Sequence, residues 1–338
     1  MERPPDNQSI NLDIIRTEQS VLEMLSLIPY RIDGESFLAL NREFQALGVR
    51  LSQSQYDGER RTLQGDYDTL RAKIVTEFPE VVNEFSPSNY RVSVKNQKGE
   101  KAFLDLEKIV QSSLDFYKKN NLREIATACE LPEKMHIGLI ERLNIFEAYR
   151  EGHDMLLLMP PAQVQRAHLE HVATALSSQC EGLPPMEQYN GMRFFGIPDV
   201  DPLSKITIDN RPEEKPYLIA VRSEYETVPP TGGIIPDRMR QKLFSQTKNG
   251  MTLFEYLVFQ RHVVEKGERE ISHHPDTQFP VILFDSRLRS DLYGMHEFAV
   301  RWSTKYRQLE FFIPDPEKKQ NTCGIRDAHG IYITQDRE

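Results

Sequence analysis

The most reactive side chains of this chain gather near its C-terminal end, where Cys323-Gly324 is followed by Asp327 and His329. A thiolate becomes a working nucleophile when a base lies within hydrogen-bond reach, and a loop around Gly324 could carry the His329 imidazole to Cys323. The competing reading is a buried structural thiol, the ordinary fate of a sparse cysteine. The three cysteines, Cys129, Cys180 and Cys323, form no CxxC pair, which suits reduced thiols better than a disulfide framework. Cys129 falls inside a helical pattern and reads as core.

Anion chemistry is the second possibility. Residues 232–250 carry Arg238, Arg240, Lys242 and Lys248 against the one carboxylate of Asp237, a net charge of +3. A solvated helix face is the default explanation for such a patch, and contact with an anion or nucleic acid is the alternative. Arg287, Arg289 and Arg326 form another group able to line an anion pocket. The chain has neither GxxxxGK[ST] nor GxGxxG, and Gly232-Gly233 is a poor phosphate cradle because Pro236 withdraws a backbone donor. His168 and His171 flank Glu170 at helical spacing, so both imidazoles could meet one metal. No HExxH motif accompanies them and no third ligand stands at diagnostic spacing, so surface histidines are expected there and at His273-His274, with no metal and no cofactor.

The elements that must position these groups read as α+β. Apolar residues from Ile10 to Ile28 keep a helical period that Pro29 ends. Phe37, Leu40, Phe44, Leu47 and Leu51 form one seam, and Leu63, Tyr67, Leu70 and Ile74 a second, with Asp57-Gly58 as the break. This predicts an antiparallel helical hairpin within a helical region over residues 1–86. Residues 160–338 read as a separate α+β domain with an antiparallel sheet. In it, helices are expected at Ala162–Ser178, Pro236–Phe244 and Met251–Val264. Strands are expected at Arg193–Ile197, Lys205–Ile208, Tyr217–Val221, Pro280–Phe284, Phe298–Trp302, Leu309–Ile313 and Ile331–Ile333.

Between them, residues 90–159 carry a more specific pattern. A strand at Tyr90–Val94 turns at Gln97-Lys98-Gly99, and Phe103–Tyr117 reads as a helix. Leu122, Ile125 and Ala126 face inward on a second helix, Leu131-Pro132 turns the chain, and Ile137, Leu139, Ile140 and Leu143 seat a third. Ile145–Tyr149 and Met155–Met159 flank Arg150-Glu151-Gly152-His153-Asp154 as a hairpin would. Across residues 104–159 this order resembles the winged helix-turn-helix family, on the framework positions Leu122, Glu124, Ile125, Ala126, Leu131, Pro132, Leu139, Ile140 and Leu143. The resemblance implies a compact module for macromolecular contact, with either protein or DNA as partner. DNA contact would need Lys134, His136 and Arg142 on the exposed face of the third helix and Arg150 near the wing. The recognition helix departs from the family pattern at Glu133 and Gly138, and eight cations face ten carboxylates between Lys101 and Asp154. A net negative segment attracts phosphate weakly, which favours protein contact.

Composition narrows the class further. The 338 residues are 39% hydrophobic and 28% charged, with a net charge of −9. That describes a globular protein and argues against a surface that grips phosphate everywhere. The opening MERPPDNQ lacks the apolar core of a secretory signal, and the apolar run Met155–Met159 is too short to span a bilayer. The expectation is a cytoplasmic, bacterial, non-enzymatic protein without membrane contact. The alternative is an enzyme whose C-terminal domain uses Cys323 and His329 or an arginine-lined anion pocket.

Overall fold

A computed structural model describes residues 34–53, 57–78, 90–130, 139–177, 192–195, 203–224, 234–245, 249–266, 276, 278–290, 294–303, 308–314, 320 and 323–331. In chain order the elements are α1 (Gly34–Gln53), α2 (Asp57–Glu77), β1 (Arg91–Lys95), β2 (Lys101–Asp105), α3 (Leu106–Lys119), α4 (Arg123–Ala128) and α5 (Leu139–Arg150). Next come β3 (Met155–Met159), α6 (Ala162–Ser177), β4 (Met192–Phe195), a 3-10 turn (Leu203–Lys205), β5 (Ile206–Ile208) and β6 (Tyr217–Val221). The last are α7 (Pro236–Ser245), β7 (Asn249–Gly250), α8 (Leu253–Lys266), β8 (Val281–Ser290), β9 (Gly294–Ser303), β10 (Gln308–Phe312), β11 (Gly324–Ile325) and β12 (Asp327–Ile331). The fold is α+β, in two compact units: residues 1–106, 134–151 and 334–338 form one, and 107–133 with 152–333 the other.

In the first unit the two predicted seams fold as α1 and α2. Phe37, Leu38, Leu63 and Leu70 are buried, and the Phe44 and Tyr67 rings stack with centroids 4.2 Å apart. Asp57-Gly58, expected as the break, opens α2 instead. The strand expected at Tyr90–Val94 is β1, paired antiparallel with β2. Their turn needs a left-handed residue, which Gly99 supplies at φ +81°, a conformation glycine adopts without steric cost. Because β2 takes residues 101–105, the helix expected from Phe103 begins only at Leu106.

One expectation in this unit is overturned. Ile145–Tyr149 is not a strand but the second half of α5. Ile145, Phe146, Ala148 and Tyr149 are all buried, and offsets of one, three and four residues are those of a helix face. Five residues were too few to reveal that period, because strand and helix give the same reading for a short apolar run.

The second unit holds two sheets. One is four-stranded, in the order β3-β6-β12-β7, with every pairing antiparallel. The other runs β11-β8-β9-β10-β4, with β5 added on β8. The expectation of an antiparallel sheet holds here except at β10–β4 and β11–β8, which are parallel. β3 pairs with β6 along its whole length, so the wing hairpin implied by the resemblance is not formed. Leu156 to Met159 are buried at successive positions, which suits a strand covered on both faces and not a half-exposed wing. Tyr217–Val221 is buried at every residue because β6 lies between β3 and β12. The helix expected at Ala162–Ser178 is α6, with Leu169, Val172 and Ala173 buried. Ala167, expected inward, is exposed, whereas Gln165 is buried. Among the described residues no helix is long and apolar enough to cross a membrane.

Candidate anion-binding cleft

The sequence candidates do not converge. Cys323 is buried in an apolar cluster with Ile234, Leu243, Ile282, Phe284 and Ala299. It stands beside β11 in the six-stranded sheet, whereas His329 lies on β12 in the other sheet, opposite Ala220. Lys134 and His136 lie outside the described residues, as do the Leu131-Pro132 turn, Gly232-Gly233, His273-His274 and the helix expected at Ile10–Ile28. Arg142 is not on an exposed face. It is 1% exposed, and its Nη1 donates to the Arg91 carbonyl at 2.7 Å, clamping α5 to β1. Arg150 pairs with Glu147 one turn back. On α7, Arg238 is exposed, and the side chain of Lys242 lies outside the described ones. Arg240 reaches Glu297 at 3.0 Å and Asp209 at 3.4 Å. His168 sits 3.3 Å from Glu124, and no cluster of metal-ligating side chains occurs among the described residues.

The arginine group splits in three. Arg326 is buried against Asp276, with Nε–Oδ2 at 2.7 Å and Nη2–Oδ1 at 2.9 Å. Its guanidinium also lies 4.4 Å from the centre of the Phe259 ring. Arg287 donates to Asp209 at 2.6 Å. Arg289 is exposed on β8, at the mouth of a cleft.

That cleft is positioned from beneath by a buried ion network. The segment after β5 carries Arg211, whose side chain is fully enclosed and whose guanidinium makes five bonds. They go to Glu255 at 2.6 and 2.9 Å, Asp285 at 2.8 Å, the Gly250 carbonyl at 2.7 Å and the Asn210 carbonyl at 3.2 Å. Five bonds exhaust its five N–H donors, so Arg211 has none left for a ligand. Burial alone would weaken its charge, but Glu255, then Tyr217 and Asp285, raise the guanidinium's proton affinity. Glu255 also accepts from the Tyr217 hydroxyl at 2.6 Å and the Thr252 N–H at 2.8 Å. The Glu255 N–H returns a bond to Thr252 Oγ1 at 3.2 Å, closing a capping box at the start of α8. Burial pushes the Asp285 carboxyl up despite Arg211, and pushes up the Tyr217 hydroxyl.

From this anchor the chain reaches α6. The Ala162 N–H donates to the Pro212 carbonyl at 2.7 Å, which satisfies a backbone donor the helix start leaves open. Arg166, one turn along, forks onto Glu213 with Nη1–Oε1 at 3.2 Å and a closer Nη2–Oε2 contact. That fork holds the Glu213 carboxyl below its usual range. The same segment therefore fixes β5, β8 and α6 relative to one another.

Between those three elements lies an open cleft of about 540 Å³, lined by Arg166, Ser204, Lys205, Ile206, Thr207, Ile208 and Arg289. Lys205, which ends the 3-10 turn, and Arg289 on β8 lie one residue beyond the Ile206–Leu288 pair of the antiparallel β5 and β8 strands, so both cations belong to the same end of the ladder. Sequence reading found Arg289 but missed Arg166, Ser204, Lys205 and Thr207. No motif marks them, since they come from separate parts of the chain. Comparison with known protein families, curated proteins and solved structures yields no match.

Proposed function

We propose that this chain is a binding protein whose second unit holds an anionic ligand in the cleft between α6, β5 and β8. The observation that carries this reading is the gathering of three cations at one cleft, Lys205 and Arg289 beside the β5–β8 ladder and Arg166 on α6. An anion held among them would gain charge-assisted contacts. The network around Arg211 plays no part in binding, because its donors are saturated, but it fixes the walls.

Isothermal titration of the full chain with inorganic pyrophosphate and with citrate, at two salt concentrations, tests the proposal. Saturable binding that weakens with salt is expected, and K205Q/R289Q should lose about tenfold in affinity. The variant R238Q, in the exposed cation of α7, should leave binding unchanged. No binding, or binding indifferent to K205Q/R289Q, would refute the reading.

A further inference from the structure

We infer that two copies of this chain associate by pairing their β2 strands edge to edge across a two-fold axis, joining two hairpins into one four-stranded antiparallel sheet. The pairing surface lies in the first unit and shares no residue with the cleft. All five residues Lys101–Asp105 belong to β2, and among the described residues β2 pairs with β1 and with no other strand. Lys101, Ala102 and Phe103 are exposed, and Phe103, at 70%, is the most exposed large apolar side chain among the described residues. Strand edges are ordinarily guarded by charge, because an open edge templates pairing with another chain. The middle of this one carries a bare phenylalanine instead.

The hydrogen-bond phase of the hairpin says which groups that edge offers. The Asn96 N–H donates to the Glu100 carbonyl at 3.0 Å, and the Leu106 N–H to the Tyr90 carbonyl at 2.9 Å. These two pairs flank the register that runs from Lys95–Lys101 to Arg91–Asp105. Bonded and non-bonded pairs alternate in an antiparallel ladder. Ala102 and Leu104 therefore turn their main-chain groups toward β1, and Lys101, Phe103 and Asp105 turn theirs outward. The far edge of the hairpin agrees with this phase. Arg91 there points its carbonyl away from β2, and Arg142 of α5 donates to it at 2.7 Å, closing the β1 edge. On β2 the outward main-chain groups of Lys101 and Phe103 have no such partner among the described residues.

The strand itself, Lys-Ala-Phe-Leu-Asp, selects a second copy as its partner. An antiparallel alignment centred on Phe103 sets Phe103 against Phe103, Lys101 against Asp105 and Ala102 against Leu104. Outward groups then meet outward groups, the Phe103 pair exchanges two main-chain bonds, and the two rings cover each other on one face. Slipping one strand by a single residue would set outward groups against inward ones. A slip of two would leave each ring opposite a charge. Asp105 is already engaged within its own chain, so the opposed charges fix the register while main chain and rings supply the affinity. Such an interface is self-complementary, as a two-fold dimer requires.

Sedimentation velocity of the full chain across a concentration series tests the pairing. A reversible monomer–dimer equilibrium is expected. F103K, which sets two ammonium groups against each other at the axis, should raise the dissociation constant about tenfold or more, with circular dichroism unchanged. Cross-linking reads the register. Bonded antiparallel pairs hold their Cα atoms about 5.5 Å apart, within disulfide range, so F103C should form a covalent dimer on mild oxidation. K101C, displaced from its counterpart by about 13 Å along the strands, should not, and the parent chain is the control for native thiols. A chain that stays monomeric at every concentration would overturn the pairing. So would a dimer indifferent to F103K, or K101C cross-linking as readily as F103C.

Discussion

Replacing Arg211 by methionine should expose the central electrostatic device of the second unit. The side chain is fully enclosed and bonds two carboxylates, Glu255 and Asp285, with the nearer contact at 2.6 Å. Methionine preserves much of the length and volume, so the cavity contribution is small. What changes is charge, since two buried carboxylates lose the cation between them. Removing one partner of a buried pair costs about 3–5 kcal/mol. This variant strands two acids, so the upper end is expected near pH 8, against a total stability of about 5–15 kcal/mol for a typical domain. E255Q should cost less, because Arg211 and Asp285 remain as a balanced pair. The pH dependence is the sharper signature. Burial already pushes the Asp285 carboxyl up while Arg211 is present, and without the guanidinium it should titrate well above its unfolded value of about 4. The folded form then binds protons more tightly than the unfolded one. Its stability falls as pH rises through that window and recovers on acidification. Urea denaturation followed by circular dichroism at pH 8 and pH 5.5 should show the R211M deficit narrowing at the lower pH. A deficit that is independent of pH, or smaller than that of E255Q, would refute the argument.

Four further outcomes follow from the geometry. A Cβ on Gly250 would meet Phe284 Cβ at 2.6 Å and its backbone nitrogen at 2.9 Å, so G250A should cost about 1–3 kcal/mol. At Gly65 in α2 nothing lies within 4 Å of the added atom, and G65A should stabilise by up to about 1 kcal/mol; thermal melts check both. Burial disfavours the charged form of Glu265, but Lys119, Asn120 and Arg261 outweigh it and hold the carboxyl below its usual range. That contribution is present above the unfolded pKa of about 4.3 and lost as pH falls through the depressed value. E265Q should therefore be less stable than the parent at pH 7, by about 1 kcal/mol, with the gap closing in urea melts near pH 3.5. Cys129 is buried, which pushes its thiol up, and Cys323 is 7% exposed. Neither should be alkylated until the protein is denatured, as mass mapping of the labelled sites would show; rapid native labelling of Cys323 would revive a nucleophilic role.

Much of the fold was legible because one element produced one periodic pattern. The seams at Phe44 and Tyr67 identified α1 and α2, and the continuous apolar run Tyr217–Val221 identified β6. Legibility failed where a pattern was short or a partner remote. Ile145–Tyr149 looked like a strand because five residues sample little more than one helical turn. Met155–Met159 was read correctly as a strand but given the wrong partner. Its true neighbour, β6, begins 58 residues after Met159, and local sequence carries no trace of that pairing. Arg142 was expected on the exposed face of the third helix as DNA contact would require, yet its guanidinium satisfies a carbonyl of β1.

The cleft was illegible for a further reason, and that reason bears on how it works. Arg166, Lys205 and Arg289 carry no mutual pattern in sequence, since each belongs to an element with its own packing demands. What joins them is the segment from Asp209 to Glu213. It satisfies the open N-terminus of α6, and through Arg211 it ties the capping box of α8 to Asp285 on β8. Thr252-x-x-Glu255 was the one visible trace of this arrangement, since a threonine followed three residues later by glutamate announces a helix start. The motif does not announce that Glu255 also neutralises a buried arginine. Because helix cap and ion pair share one carboxylate, loosening either should loosen both, and with them the spacing of the cations at the cleft. The R211M variant should therefore weaken pyrophosphate binding even at pH 5.5, where its stability deficit narrows, although the saturated Arg211 has no donor to offer the ligand. Unchanged affinity in that folded variant would show that the network holds the fold without setting the site.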